Sequence, residues 1–574
     1  MIDKIVSVAN KVWKVQTAKM ECVDADALIA AIAQNRGIEN LDAFLHTTLE
    51  SAMPDPFVFI DLEKAASRIA EAIKNEQQIA ILGDYDVDGV ASVSIFVNFL
   101  KHLGASFSYS IPNRTGEGYG LNVNALDKHK NCLIVAVDCG SNSQEELLYA
   151  KDHGLEVIVI DHHKMSALPA AFALVNPHRP DEKDDYKHLC ATGLAFMCLI
   201  GVDKLLRESG FYQDRREPPL MEYLDLVALA TVCDVVSLTG LNRAFVSTGI
   251  KVIRQRKNLG IDALAALYKG HEITAETISF FFGPRLNAAG RISSADMSVR
   301  LLTTGNPIEA KKIAKDLDNL NRERQMLEQK IMEEVAPSVD ENLNFICSYH
   351  PEWHVGVIGI VAGRLKEKYN RLSIIISRDS NGKGKGKASC RSVDGVDLSE
   401  LIHKGIQCGI ISSGGGHALA AGFSIEIDKI NALVEFLKTE IRHETPVPEI
   451  QADCFLDLES LSVDLLQSIS ALEPFGMGNK RPKFVIPNVR ISFSRVVGEN
   501  HIAATLQDEK GNSLRAIAFK SLNTELGDAL LNERRPVSAV GACVIASWKD
   551  ERYVSFQLED LAIKENNLQS AGLT

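Results

Sequence analysis

The chain has 574 residues, of which 46% are hydrophobic and 24% are charged, and its formal net charge at pH 7 is -13. This length allows three or four domains. No apolar run approaches the ~18 residues that a membrane span needs. The negative net charge argues mildly against a nucleic-acid-binding protein. The 11 cysteines include no Cys-x-x-Cys pair, so neither a zinc ribbon nor a disulfide framework is indicated, and a reducing cytoplasm is the expected location.

The first element in chain order is a predicted helical lead-in over residues 1–45, in which Ala27–Ala33 is apolar and prone to form a helix. Residues 46–305 follow as a region where strand-like runs alternate with helical patterns, which is typical of βαβ units and a parallel sheet. Three runs are apolar throughout, which predicts strands buried on both faces: residues 79–82, 133–137 and 157–160.

Acidic and histidine residues follow each of these three runs, and a further acid follows a helical pattern that ends near residue 233. In chain order they are Asp84, Asp86, Asp88, Asp138, Asp161, His162, His163 and Asp234. The carboxyl ends of neighbouring parallel strands converge on one crevice, where several carboxylates repel each other unless cations lie between them. Oxygen ligands with one or two histidines suit Mg²⁺ or Mn²⁺, so the pattern predicts a metal-dependent hydrolase with two ions flanking a phosphate.

Residues 306–337 are predicted to form one long helix, because apolar residues between Ile308 and Val335 recur at spacings of three, four or seven. At 1.5 Å per residue this helix is roughly 40 Å long, and it either separates two domains or packs as an ordinary helix. A second α/β region is predicted at 338–447. Residues 448–562 contain short strands with turns, which suit a small β-barrel, and 563–574 form a tail.

The acidic motifs resemble those of the DHH phosphoesterase superfamily. Within it, other segments are similar to the RecJ family of single-strand-specific 5′→3′ DNA exonucleases: residues 111–114, 118–121, 283–291, 414–422 and 473–479. The matches run in order from about residue 50 to about residue 560. The resemblance implies an α/β fold in which a parallel-sheet DHH domain and a smaller α/β DHH-associated domain are joined by the long helix, with a C-terminal OB-fold barrel.

The resemblance also implies roles for the acidic residues. Asp138 would bridge two Mn²⁺ or Mg²⁺ ions, Asp86 would bind one ion, and the other would be bound by Asp88, His162 and Asp234. Many relatives have a histidine where this chain has Leu82, so Asp84 or water is the expected substitute ligand. Asp161 would orient an imidazole, and His163 would face the substrate, either hydrogen-bonding a phosphate oxygen or protonating the leaving group.

Contacts to DNA follow from the resemblance in the same way. The segment 283–291 would contact DNA phosphates beside the metals through Arg285, Asn287 and Arg291, because guanidinium forks suit phosphate oxygens. A pocket for the terminal 5′ phosphate would be formed by Arg114, Ser389, Arg391 and Ser392, although Ala388 stands where relatives have a glycine. His417, which follows three glycines, is expected to contact substrate.

Together with these features, the family resemblance implies a single-stranded-DNA-specific 5′→3′ exonuclease that releases 5′-mononucleotides in DNA recombination and repair. The family resemblance implies a single-strand-binding protein and a RecQ-type helicase as partners, and no membrane. Two alternatives stay open. One is another DHH phosphoesterase acting on short oligonucleotides or cyclic dinucleotides, and the other is a non-catalytic scaffold that binds nucleic acid.

Overall fold

The computed structural model describes residues 4–16, 24–112, 120–182, 184–270, 272–379, 384–441, 447–549 and 551–563. The described residues fall into two compact units. One is drawn from residues 1–47, 446–475 and 479–574, and the other from residues 48–445 and 476–478. Within the described part of the chain, no helix has the length and apolar character needed to cross a membrane.

The strands, in chain order, are β1 Lys4–Val6, β2 Val12–Val15, β3 Ile79–Gly83, β4 Phe107–Ser110, β5 Leu133–Val137, β6 Val157–Ile160, β7 Ala173–Val175, β8 Phe345–His350, β9 Leu372–Arg378, β10 Lys385–Arg391, β11 Ser413–Gly416, β12 Ala420–Glu426, β13 Glu449–Ala452, β14 Cys454–Phe455, β15 Lys483–Val497, β16 His501–Gln507, β17 Ser513–Ala518, β18 Val537–Trp548 and β19 Glu551–Ile563.

The helices are α1 Ala25–Asn35, α2 Leu41–Leu45, α3 Leu49–Ala52, α4 Leu62–Lys74, α5 Val87–Leu103, α6 Val123–Lys128, α7 Gln144–Asp152, α8 Ala191–Glu208, α9 Leu224–Cys233, α10 Gly240–Arg254, α11 Leu259–Leu267, α12 Ala275–Thr277, α13 Gly283–Ile292, α14 Asp296–Thr303, α15 Pro307–Val335, α16 Val355–Tyr369, α17 Leu398–Gln407, α18 Ile430–Glu440, α19 Val463–Ile469 and α20 Glu525–Asn532. A π-helical turn, Ile278–Phe282, joins α12 to α13.

The larger unit contains the predicted parallel sheet, with strand order β4-β3-β5-β6-β7. All four pairings are parallel, and every residue of β3, β5 and β6 is buried, which confirms the predicted strands. The sequence reading missed two edge strands, β4 and β7. β4 is a half-buried Phe-Ser-Tyr-Ser segment and β7 has three residues, so neither has the long apolar run that marks a buried strand.

A second sheet in this unit has the order β11-β12-β10-β9-β8, and only the β8–β9 pair is parallel. The long helix α15 precedes it, and the predicted helix over 306–337 is present as 29 residues. The first half of α15 packs in the core of the parallel-sheet region through Ile313 and Leu317, whereas Ile331 and Val335 pack against α16. One helix therefore contributes to both hydrophobic cores.

The smaller unit contains a sheet of order β14-β15-β16-β17-β19-β18, in which β18 also pairs with β15. The sequence reading missed β18.

The prediction of a purely helical lead-in is wrong, because β1 and β2 precede α1, and β2 pairs in parallel with β13. Trp13 also donates from Nε1 to Asp560 Oδ2 at 3.0 Å. β1 pairs locally with β2, but the other partners of β2 lie more than four hundred residues away, so local patterns do not reveal them.

Candidate metal centre and phosphate-binding surface

The register of the parallel sheet places the acidic residues in one row. Gly83 of β3 is paired with Val137 of β5, and Val137 is paired with Ile160 of β6. The next residue after each strand is therefore Asp84, Asp138 or Asp161, respectively. All three are buried side chains, with at most 3% of their surface exposed. The convergence predicted for the strand ends is present.

The first acidic segment continues into helix α5. Asp86 caps this helix, because its Oδ1 accepts hydrogen bonds from the N–H groups of Asp88 at 2.9 Å and Gly89 at 3.2 Å. An acid is favoured at this position by the unpaired N–H groups and the helix dipole. Gly89 allows the loop to close, because a Cβ there would lie 2.4 Å from the Asp84 carbonyl oxygen.

Asp88 is held by the N-terminus of helix α8. Its Oδ2 accepts from Ala191 N at 2.7 Å, and its Oδ1 accepts from Thr192 N at 2.8 Å and from Thr192 Oγ1 at 2.6 Å. Oδ2 also lies 3.7 Å from His162 Nε2. Because a carboxylate oxygen has two acceptor sites, Oδ2 has a lone pair for a cation while it stays anchored to α8.

His162 lies at the centre of the remaining acids. Its Nε2 is 3.5 Å from Asp138 Oδ1 and 3.7 Å from Asp234 Oδ2. Both of these buried oxygens lack a hydrogen-bond partner among the residues that the structure describes. Asp234 is the C-terminal cap of α9, which agrees with the predicted position at a helix end. Buried carboxylate oxygens without donors are positions where a cation would supply the missing partner.

The ligand atoms form three groups, within each of which all atoms lie within 4.8 Å of one another. The groups are Asp84, Asp86 and Asp138; then Asp138, His162 and His163; then Asp88, His162 and Asp234. Asp138 and His162 each belong to two of the groups, and of the two only the Asp138 carboxylate has two oxygens with which to bridge two ions. Oxygen atoms with one or two imidazole nitrogens suit Mn²⁺ or Mg²⁺, so these residues fit the metals implied by the sequence.

The electrostatics of the cluster also favour a bound cation. Burial, together with Asp88, Asp86, Asp84 and Asp161, raises the pKa of Asp138 well above its usual range. Burial, Asp88 and Asp86 raise the pKa of Asp234 to about 9. Like charges this close disfavour ionisation of both groups. A divalent ion would offset the repulsion and bring both carboxylates back to their charged form.

Asp161 orients the two histidines and does not lie in any of the three groups. Its Oδ1 accepts from His163 Nδ1 at 2.7 Å and from His162 N at 2.7 Å, and its Oδ2 accepts from Ser141 N at 3.0 Å. Burial alone would raise the pKa of Asp161, but the hydrogen bonds from His163 and Ser141 lower it below its ordinary value. Although burial opposes it, Asp161 also raises the pKa of His163 to about 9.

Three polar residues that support this row were not found from the sequence. Asn176 follows β7 as the acids follow their strands, and its amide donates to Ser141 Oγ at 2.7 Å and to the His163 carbonyl at 2.9 Å. Thr192 anchors Asp88, and Ser141 anchors Asp161. Asn176 would follow from the strand-end rule once β7 is recognised, whereas Ser141 and Thr192 act through tertiary contacts that leave no local pattern.

Helix α13 approaches the acidic loops through two glycines. A Cβ at Gly283 would lie 2.6 Å from Cys233 Sγ, beside Asp234, and a Cβ at Gly290 would lie 2.5 Å from the Tyr85 carbonyl oxygen. Asn287 is four residues after the first glycine and three before the second, so all three share one helix face. The predicted substrate residue Asn287 therefore lies on the face of α13 that meets the acidic loops.

Arg285 points to α15. Its Nε and Nη2 lie 3.0 Å and 2.8 Å from Asp318 Oδ1, and its Nη1 donates to the Phe281 carbonyl at 2.9 Å. Its guanidinium also lies over the Phe281 ring, 3.5 Å from the centroid. Arg285 holds α13 against the long helix here, and its contact with DNA phosphate stays a prediction.

The remaining phosphate-binding candidates lie on β10 and the hairpin after it. Ser389 and Arg391 are two residues apart and therefore lie on the same face of β10. Ser392, in contrast, is wholly buried and donates from Oγ to the Val396 carbonyl at 2.7 Å. His417 is an exposed residue between β11 and β12. The predicted residue Arg114 lies outside the described residues. The phosphate roles of Arg114 and of the other four side chains stay predictions.

Similar proteins point to one family. The DHH family N-terminal domain matches residues 78–231, the DHHA1 domain 342–443, and the RecJ OB domain 452–560. The chain is 32% identical over 557 residues to the single-stranded-DNA-specific exonuclease RecJ of Bacillus subtilis (strain 168), covering 94% of this chain and 68% of that protein.

Two solved structures are also similar. Both are of RecJ from Thermus thermophilus. The structure in complex with Mn²⁺ has a TM-score of 0.80 and 28% identity, and the match covers 96% of this chain and 80% of that one. The structure in complex with Mg²⁺ has a TM-score of 0.74 and 27% identity, covering 96% and 78%.

Proposed function

The chain belongs to the RecJ family of single-stranded-DNA-specific exonucleases, and we propose that it degrades single strands from the 5′ end and releases 5′-mononucleotides. It is a metal-dependent exonuclease that uses Mn²⁺ or Mg²⁺. The observation that carries the proposal is the row of acids at three parallel strand ends, where Asp138 belongs to two ligand groups.

The acids would divide two ions between them. Asp138 would be the shared ligand, Asp86 and Asp84 would hold one ion, and the other would be held by Asp88, His162 and Asp234. The group of Asp84, Asp86 and Asp138 and the group of Asp88, His162 and Asp234 support this division. Two bound ions supply a water of lowered pKa and a clamp on the attacking and leaving oxygens. Anchoring of Asp88 by α8 and of Asp86 by α5 keeps the ligands in position before metal binds.

His163 would act on the substrate and Asp161 would position it. Because Asp161 accepts a hydrogen bond from Nδ1, the nitrogen left for the substrate is Nε2. A protonated His163 at neutral pH would donate from Nε2 to a non-bridging phosphate oxygen or to the leaving oxygen, as its raised pKa supports. Asn176 would hold the backbone of His163 through the carbonyl.

The 5′ end would be recognised by Arg114, Ser389 and Arg391, with Ser392 beside them and His417 at the hairpin. Asn287, Arg291 and Arg285 would bind phosphates next to the metals. Guanidinium and hydroxyl donors suit a terminal phosphate, which carries more charge than an internal one. This recognition would give the enzyme its 5′→3′ polarity.

The smaller unit would bind single-stranded DNA. Phe493 and Phe519 are large apolar side chains that are 56% exposed, and Arg515 lies over the Tyr553 ring at 4.6 Å from its centroid. Exposed rings suit stacked bases, and a guanidinium suits the charged backbone. Phe475, in contrast, lies in the hydrophobic core.

We also propose that the protein acts in the cytoplasm with a single-strand-binding protein and a RecQ-type helicase in recombination and repair. A nuclease restricted to single strands degrades duplex DNA only when another protein separates the strands. Addition of such a helicase with ATP should therefore allow cleavage of a blunt duplex that the nuclease alone leaves intact. No gain with the helicase would contradict this partnership.

The test of the main proposal uses a 5′-phosphorylated single strand labelled at either end, incubated with the protein and Mn²⁺. We expect mononucleotides from the 5′ end first and no cleavage after chelation. Release from the 3′ end would contradict the polarity, and tight binding without cleavage would indicate a scaffold. Cleavage of dinucleotides alone would indicate a phosphodiesterase for short substrates.

A further inference from the structure

Two glycines of helix α16 face the predicted end-recognition residues on β10. A Cβ at Gly359 would lie 2.9 Å from Ser389 Oγ and 3.7 Å from Arg391 Nη2. A Cβ at Gly363 would lie 3.9 Å from Arg391 Cγ. The glycines are four residues apart and so lie one above the other on the helix. The surface under Ser389 and Arg391 is thus the bare backbone of α16.

The same distances give the direction of the Arg391 side chain. Its Cγ lies by Gly363 and its Nη2 by Gly359, so it runs along α16 towards the N-terminus of the helix over about 6 Å. Nη1 donates to the Cys390 carbonyl at 2.8 Å, which holds the guanidinium in this orientation. The Ser389 hydroxyl and one edge of the Arg391 guanidinium therefore meet at Gly359.

Positive groups converge at this end of α16. The helix has 15 residues and directs the positive end of its dipole towards His354, its N-cap. Arg291 of α13 donates from Nη1 to the Gly356 carbonyl at 3.4 Å, and a Cβ at Gly356 would lie 2.0 Å from the Arg291 carbonyl oxygen. Arg291 and the positive end of the α16 dipole therefore lie at the same end of α16 as the Arg391 guanidinium, where a bound phosphate is favoured.

We propose that Gly359 is a specificity-determining residue: its missing side chain keeps the Ser389 hydroxyl and the Arg391 guanidinium directed at a terminal phosphate above α16. The inference rests on the proposed recognition of the 5′ end. Gly359 positions the two side chains and does not touch the phosphate itself. An alanine there forces Ser389 Oγ to move, because the 2.9 Å approach is closer than a real Cβ contact.

Gly363 provides a matched control for the substitution. Both glycines lie inside α16, where alanine favours the helix by removing backbone freedom from the unfolded chain, so neither variant should lower the melting temperature. Only Gly359→Ala crowds a polar side chain, that of Ser389. At Gly363 the new Cβ would lie 3.9 Å from Arg391 Cγ, which is an ordinary van der Waals contact. A difference between the two variants therefore reports the position of the side chain and not the stability of the helix.

The experiment compares kcat/KM on strands with a 5′ phosphate and with a 5′ hydroxyl. We expect Gly359→Ala to lower the phosphate-to-hydroxyl ratio about tenfold, the size of one charge-assisted hydrogen bond, and Gly363→Ala to keep the wild-type ratio. Ser389→Ala should lower the ratio by as much as Gly359→Ala. The double variant Gly359→Ala/Ser389→Ala should lose no more than either single variant, because both remove the same contact.

Each outcome decides between the claims. A wild-type protein that does not prefer the 5′ phosphate contradicts the proposed end recognition, and this inference with it. If the wild type prefers the phosphate but Gly359→Ala keeps that preference, the inference alone fails. Additive losses in the double variant also overturn it. Should Gly359→Ala melt early, Ser389→Thr, which keeps the hydroxyl and adds a methyl group to the crowded space, must show the loss instead.

Discussion

Asp138→Asn should separate the metal-binding role of the acidic row from its role in folding. The residue has a φ of 59°, in the left-handed region that asparagine tolerates best, so the backbone should not be strained. The substitution keeps the shape of the side chain and removes a carboxyl group whose ionisation is opposed by burial and by the neighbouring acids. Without metal, we expect a gain of about 1–2 kcal/mol in the free energy of unfolding, which is about 1–2 °C in melting temperature for a unit of about 400 residues.

With Mn²⁺ the order of stability should reverse. At a metal concentration about 100 times Kd, one site stabilises the wild type by about 2.7 kcal/mol. Asp138 contributes to two ligand groups, and its Oδ1 lies 3.5 Å from His162 Nε2, so an uncharged amide there weakens both groups. The variant should therefore gain little melting temperature from Mn²⁺ and lose exonuclease activity by about 100-fold or more.

The assay is thermal unfolding in chelator and in Mn²⁺, with turnover measured on the same samples. Asp225→Asn is the matched control, because Asp225 is also buried, and burial raises its pKa to about 7, but it belongs to none of the three ligand groups. It should be stabilised without metal and still respond to Mn²⁺. If Asp138→Asn responds to Mn²⁺ like the wild type, or keeps more than a few per cent of turnover, the bridging role is refuted.

Three further predictions follow from other contacts. Asp161→Asn should lower kcat about 10–100-fold by releasing His163 from its orientation, while Mn²⁺ still raises the melting temperature; unchanged kcat would contradict this. Glu328→Gln should destabilise the fold by about 3 kcal/mol in thermal unfolding, because the buried Arg324 loses its counter-charge; a loss below about 1 kcal/mol would exclude a strong pair. Phe493→Ala should weaken binding of long single strands in fluorescence anisotropy by about tenfold, and binding of a trinucleotide should be unchanged.

Sequence patterns predicted the central strands of the parallel sheet better than its edge strands, and the reason is physical. β3, β5 and β6 are buried on both faces, so their sequences are apolar throughout, and the acids that end them are conspicuous. β4 and β7 lie at the edges of that sheet, where short or half-buried strands need fewer apolar residues. The row of acids was predictable because parallel pairing aligns the ends of β3, β5 and β6, and this alignment does not depend on the edge strands.

Polar contacts made across the fold were not predictable. Thr192 and Ser141 are ordinary residues in the sequence, and only the folded chain brings them to Asp88 and Asp161. The aromatic residues of the smaller unit give a similar lesson. An irregularity between Ile491 and Phe493 changes the pairing of β15 with β16, and Phe493 is exposed although Ile491 is buried. A period-two reading would have placed both side chains on the same face.

Ion pairs connect α15 to α13, which carries phosphate-binding candidates, and to α16, which lies under Ser389 and Arg391. Near the middle of α15, Asp318 binds Arg285 of α13 at 2.8 Å. Ten residues later Glu328, 1% exposed, binds Arg324 at 3.1 Å and also pairs with Arg364 of α16. Ten residues span about 15 Å of helix. Because α13 meets the acidic loops and α16 lies under Arg391, α15 fixes the distance between the metal ligands and the proposed end-recognition residues.

That distance bears on the proposed product. A nuclease that holds a terminal phosphate at one point and cleaves at another releases fragments whose length is the separation of the two points. Here α13 links them directly, since Gly290 approaches Tyr85 in the acidic loop and Arg291 reaches Gly356 of α16. Adjacent residues of one helix thus contact both parts of the site. Such a short separation fits release of one nucleotide at a time, and a longer one would give oligonucleotides.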